Sequence, residues 1–196
     1  MSTEGSADMR ATIRRLAIAI FAALFVTMAL SGCTATALTW DSSSDAKVYL
    51  VNNTTAVDFA DGATVDWNTD QGVVLCSFPL VSAPPDDQTK MALPAPTNGA
   101  VDVMAFLAPK GSERNKTVWK LWGDTTPLGG KGALLPAVWP GYLTNGDAKA
   151  VKNAGGTYSM GVAYLKDNDQ TVVSAFYTTI TVDAGKGTWK FTTPPH

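Results

Sequence analysis

The feature that most constrains this fold is a rhythm of short apolar runs closed by turn signals. Beyond residue 33 no stretch keeps a helical period for 12 residues. Instead β-branched and aromatic residues cluster in nine runs: 48–51, 56–59, 64–67, 72–78, 101–107, 117–122, 158–165, 172–182 and 188–191. Asp61-Gly62 and Asn98-Gly99 are turn pairs between runs. Strands at this spacing predict an all-β chain, an antiparallel β-sandwich rather than βα units. Ala148 to Asn153 has room for one helical turn. The chain has 196 residues, 45% hydrophobic and 16% charged, enough for one cored domain and too apolar for a disordered chain. That domain is expected over residues 47–196.

The C-terminal third carries the clearest pattern. Gly155-Gly156 lead into a run in which Tyr158, Met160, Val162 and Tyr164 share one face, with the smaller Ser159, Gly161 and Ala163 on the other. Asp167-Asn168-Asp169-Gln170 forms the turn into Val172–Val182. This segment resembles the last hairpin of immunoglobulin-like and fibronectin-type sandwiches, including the tyrosine near the start of the penultimate strand. The inter-sheet cysteine pair of antibody domains is absent, and Gly187–Phe191 is additional to the minimal pattern.

The N-terminus reads as an export signal. Arg10, Arg14 and Arg15 precede an uncharged apolar stretch, Leu16 to Leu30, and the segment ends in Leu30-Ser31-Gly32-Cys33. The 15-residue stretch is shorter than the roughly 20 residues of a spanning helix. The four-residue ending resembles the lipobox of bacterial lipoproteins. That resemblance implies a signal-peptide helix over 1–32, cleavage before Cys33, and a diacylglyceryl thioether on the Cys33 sulfur. It also implies export and anchoring to the outer face of the cell membrane. An uncleaved signal anchor is the alternative. Residues 33–46, rich in Ser, Thr and Asp and interrupted by Trp40, are expected to form a tether. Without residues 1–32 the chain keeps 12 Lys+Arg and 15 Asp+Glu, a net of −3. Neither the charge nor its distribution suits nucleic acid.

Catalytic chemistry finds few supports. His196 is the sole histidine, which removes Ser-His-Asp and Cys-His arrangements and Cys/His zinc sites. Glu113 is the sole glutamate after the signal. Asp86-Asp87 and Asp167 with Asp169 are the aspartate pairs available for acid–base work. Turn aspartates more often bond their own backbone. Asp167-Asn168-Asp169 has the opening of a calcium loop without its glycine or distant glutamate. Cys76, inside an apolar run, reads as a small buried hydrophobe. The expectation is a non-enzyme with no catalytic residue, no metal and no cofactor.

The aromatic residues are the best candidates for binding. Trp119 and Trp122, three apart in a run read as a strand, are expected on opposite faces, one in the core and the other exposed or covered by a loop. Trp139 and Tyr142 lie in the second of two long irregular segments, 82–99 and 123–156. Loops of this length are often functional when ordered. An exposed Trp or Tyr serves as a protein hot spot or a platform for a sugar ring. The leading expectation is a cell-surface, lipid-anchored binding module. Its partners would be the membrane through Cys33 and an envelope protein or cell-wall glycan, with no nucleic acid. A carbohydrate-binding lipoprotein is the first alternative and requires a coplanar exposed aromatic pair. An aspartate-dependent envelope hydrolase and a plain spacer are the others.

Overall fold

A computed structural model describes residues 41–52, 54–55, 57–69, 73–77, 92–129 and 136–191. The expected signal peptide, Cys33, residues 33–40 of the expected tether and the Asp86-Asp87 pair lie outside these residues.

The described chain is all-β with one short helix. In order its elements are β1 (Tyr49–Asn52), β2 (Val57–Asp58), β3 (Thr64–Asp66), β4 (Val73–Cys76), β5 (Asp102–Pro109), β6 (Leu121–Trp122), β7 (Thr126–Pro127) and β8 (Asn145–Gly146). The helix α1 (Ala148–Ala154) follows, then β9 (Gly156–Lys166), β10 (Thr171–Asp183) and β11 (Thr188–Phe191). They form two antiparallel sheets, a small one ordered β2-β1-β4 and a large one ordered β3-β11-β10-β9-β5-β6-β8, with β7 paired to β5 beyond β6. This is the expected sandwich.

Side-chain alternation builds the layers. On the large sheet, Val103, Ala105 and Leu107 of β5, Met160, Val162 and Tyr164 of β9, and Phe176, Ile180 and Val182 of β10 pack in one buried core. Leu50, Val73 and Leu75 of the small sheet join them. The long β9–β10 hairpin is the spine, turned by Asp167, Asn168 and Asp169 in the left-handed region (φ 56°, 53° and 64°). Gly161 is required by its neighbour strand: a Cβ there would sit 2.0 Å from the Phe176 carbonyl oxygen.

The opposite face of the large sheet is also apolar. Met104, Phe106, Ala108, Ala163, Leu165, Ala175 and Tyr177 form a second buried cluster. Two segments cover it. The first is the loop after β5, where residues 117–122 depart from the strand expected of them. Asn115 accepts from Thr117 N (3.3 Å) and Thr117 Oγ1 (2.7 Å), winding Lys116–Val118 into a 3-10 turn and leaving only Leu121–Trp122 extended. Trp119 and Trp122 therefore do not straddle a sheet. Trp119 lies flat on Phe106, centroids 4.6 Å apart and planes 15° apart, and half-buried Trp122 packs against the same cluster.

The second cover is 41–46, the end of the expected tether, which runs along β10. β11 pairs with β10 only over Ile180–Asp183. Beyond that point Asp45 N donates to Ala175 O (3.0 Å) and Ala175 N to Asp45 Oδ2 (2.7 Å). Tyr177 N donates to Ser44 Oγ (3.1 Å), and the Ser43 and Tyr177 hydroxyls hydrogen-bond to each other. Arg114 and Lys110 of the covering loop pair with Asp45 (2.6 Å) and Asp41 (3.8 Å).

Candidate functional site

Four described pieces converge on a cleft of about 160 Å³ between the edges of the two sheets. It is lined by Val103, Ala105 and Val162 from the inner face, Asp124 and Thr126 on one side, and Pro136, Ala137 and Tyr142 on the other. Its existence follows from how the edge of β5 is paired. β6 meets β5 at Phe106 and Leu107, and β7 meets it at Asp102 and Val103. Between them Gly123 N bonds Ala105 O (2.9 Å), and the chain then carries Asp124 outward. The inner-face residues beside that departure are left near the mouth.

The facing wall is a short edge added to the small sheet. Leu75 N donates to Pro136 O (3.0 Å) and Val138 N to Val73 O (2.8 Å), and Val138 is fully buried. Strand alternation turns the N–H and C=O of Ala137 away from β4. Pro140–Tyr142 then form a 3-10 turn seated on the segment after β3, where Gly141 N bonds Trp67 O (3.1 Å). The approach admits only glycine, since a Cβ at Gly141 would fall 2.4 Å from Trp67 O. Trp67 is itself buried, with the Lys152 ammonium 4.9 Å from its ring centroid. The second long segment is therefore pinned at two points, and Tyr142 projects from a rigid base.

Of the four expected aromatic site residues, Trp139 and Tyr142 come together, with centroids 4.8 Å apart and planes 40° apart. Trp139 is half-buried on the main core, whereas Tyr142 is 48% exposed at the lip of the cleft. The pair is tilted and offers one accessible ring, not the coplanar platform expected for a sugar. Trp119 is a core plug: its Nε1 donates to Glu113 O (3.0 Å) and its ring is 5% exposed. Trp122 is outside the cleft lining. In the first long segment, Leu93 is buried in the core and Tyr164 Oη donates to Pro94 O (2.9 Å), which ties this end of the segment to the core.

Sequence reasoning missed the polar members of the site. Asp124 accepts from Asn145 Nδ2 at 3.4 Å. Nearby, Asp102 is joined to Asp169, a pairing that the candidate pairs Asp86-Asp87 and Asp167 with Asp169 did not include. Desolvation, then the Asp169 charge and a hydrogen bond with its side chain, raises the Asp102 carboxyl above its ordinary value. Asp169 is further held by Thr125 Oγ1 (2.9 Å), and Lys116 Nζ bonds its carbonyl (3.0 Å). No local signal links Asp102 to Asp169, which are 67 residues apart. Among the described residues no three His, Cys, Asp or Glu side chains gather as a metal site, and no helix is long and apolar enough to cross a membrane. Compared with family models, curated proteins and solved structures, the chain finds no match.

Proposed function

We propose that this chain is an exported, lipid-anchored, non-enzymatic binding module whose ligand site is the cleft beneath Tyr142. The Leu30-Ser31-Gly32-Cys33 ending after an uncharged apolar stretch supports the anchor. The observation that carries the binding reading is an exposed aromatic ring on a pinned turn, above an apolar cleft with one carboxylate at its wall. Ligand pockets commonly pair an apolar lining with a few placed polar groups. The finer reading is an immunoglobulin-like sandwich, which presents loops at its ends. It is supported by Tyr158 at the start of β9, whose Oη donates back to Gly155 O (2.9 Å). That step to function is an analogy of fold.

A photo-crosslinking residue at position 142, expressed in cells and compared with one at the exposed position 64, tests the site. Capture of one specific partner or glycan from 142 alone is the expected result. Equal capture from both positions, or none from either, overturns it. Metabolic labelling with an acyl-chain analogue, lost in Cys33→Ala, tests the anchor.

Binding of a cell-wall glycan is the second reading. The Asp124 carboxylate and the exposed Tyr142 ring in one cleft lining favour it, since sugars are held by an aromatic face and polar side-chain partners.

A further inference from the structure

We infer that the cleft beneath Tyr142 takes a compact alkylammonium group, an inference that rests on the binding reading above and names its ligand class. Three observations converge. The cleft's volume of about 160 Å³ is close to the ~150 Å³ of an engineered cavity that admits benzene, so it accepts a group of a few heavy atoms. Its floor and one wall are Val103, Ala105, Val162, Pro136 and Ala137, which suit methyl and methylene groups. Among its described lining residues the charged one is Asp124, exposed at the rim. Asp124 is held by a 3.4 Å contact from the Asn145 amide, whereas Asp41 and Asp45 are paired with Lys110 and Arg114.

A carboxylate at an apolar cleft beside an exposed phenol ring is matched by a cation with an apolar body. The ammonium meets the carboxylate and the face of Tyr142, and its carbon substituents meet the floor. A neutral apolar ligand would make no use of the exposed Asp124 carboxylate at the rim, which an ammonium would pair. A sugar would face a mostly hydrocarbon floor with hydroxyls that need partners. The same ammonium chemistry comes either as a free quaternary amine or as the end of a lysine side chain.

The test is a titration of the full chain in non-ionic detergent, followed by amide chemical shifts of residues 103–105, 124–126, 137 and 142. Four probes are used: choline, its neutral carbon isostere 3,3-dimethylbutan-1-ol, Nα-acetyl-lysine methylamide and N-acetylglucosamine. Expected is saturable binding of choline or the lysine derivative, at least tenfold tighter than the neutral isostere, with the better of the two cations identifying the source. Asp124→Asn is expected to weaken it at least fivefold, and Tyr142→Leu to weaken it while leaving the remaining spectrum in place. If the isostere binds as tightly as choline, or Asp124→Asn has no effect, the cation inference is overturned and the binding reading stands. Shifts from N-acetylglucosamine alone overturn it in favour of a glycan. Silence from all four probes also overturns it, and the crosslinking from position 142 then judges the binding reading separately.

Discussion

The Ser159 hydroxyl donates to Glu113 Oε1 at 2.5 Å, with both side chains buried on the face of the large sheet turned away from the main core. The same carboxyl oxygen accepts from Gly111 N (2.8 Å), and the Glu113 carbonyl receives the Trp119 indole N–H. One acidic residue thus holds the covering loop on the sheet. Ser159→Ala removes a donor from a buried acceptor and is expected to cost about 1–3 kcal/mol in urea unfolding. Glu113→Ala should cost more, and the double variant should show a coupling of about 0.5–3 kcal/mol. Additive effects would mean the two groups are independent.

Trp119 and Tyr142 should separate fold from function. Trp119 is stacked on Phe106, so Trp119→Ala opens a cavity and is expected to lose about 3–5 kcal/mol of stability. Tyr142 is exposed at the cleft, so Tyr142→Ala should change stability by no more than about 0.5 kcal/mol. Thermal denaturation of the two variants side by side checks this. A large loss at Tyr142 would make it a packing residue.

Gly161→Ala should be among the most damaging single changes. The added methyl meets the Phe176 carbonyl oxygen and the Tyr177 Cα, which are backbone atoms of the strand paired with β9. The strands must part at the centre of the sheet, an overpacking cost of about 3 kcal/mol or more. Urea midpoints measure it.

Two carboxyls make opposite contributions to pH dependence. Burial works to raise the Asp41 carboxyl, but the Ser43 hydroxyl and amide with Lys110 outweigh it and leave it below the ordinary 3.8. Its contribution is present above that value and is lost as pH falls through the lowered one. The raised Asp102 carboxyl keeps its proton longer in the folded state, so stability declines as pH rises from 3.8 through the raised value. Asp41→Asn should flatten the stability profile on the acid side of 3.8, and Asp102→Asn on the alkaline side. Unfolding curves across pH 2–7 would reveal a swap of those two effects.

The Cys76 thiol is fully buried, and burial together with the Asp58 charge pushes it up to about 12. A maleimide should leave it unmodified in the native chain and label it once the chain is unfolded. The unfolded count also reports on the anchor: one reactive thiol where Cys33 carries a thioether, two where it is free. Rapid native labelling of Cys76 would contradict its burial.

The sequence was most legible where neighbouring residues decide the structure. The alternation of Tyr158, Met160, Val162 and Tyr164 marked the core face of β9, and Asp167–Gln170 marked its turn, because both depend on pleat and turn chemistry within a few residues. Residues 117–122 misled because a β-branched and aromatic composition suits a strand equally well. What decides against one is Asn115 capping the turn and Phe106 receiving the Trp119 ring, one of them 13 residues away in the chain. The pairing of 136–138 with β4 and the meeting of Asp102 with Asp169 depend on elements brought together from distant sequence, and no local pattern announces them. Asp41–Ala46 has the composition of a loose linker. Its Ser and Asp oxygens stand in for a neighbouring strand's carbonyls, which composition cannot reveal.

That substitution has a consequence for solubility. Where β11 stops, the flank of β10 around Ala175 and Tyr177 would offer bare N–H and C=O groups to any extended chain nearby. The Asp45 and Ser44 side chains take the Ala175 and Tyr177 N–H groups and the Asp45 N–H takes the Ala175 carbonyl, so the flank gives a second molecule no free template there. A chain trimmed to begin after Ala46 would keep its core residues and lose this guard. Its characteristic failure would be self-association through β10, visible as concentration-dependent oligomers before any loss of the folded signal.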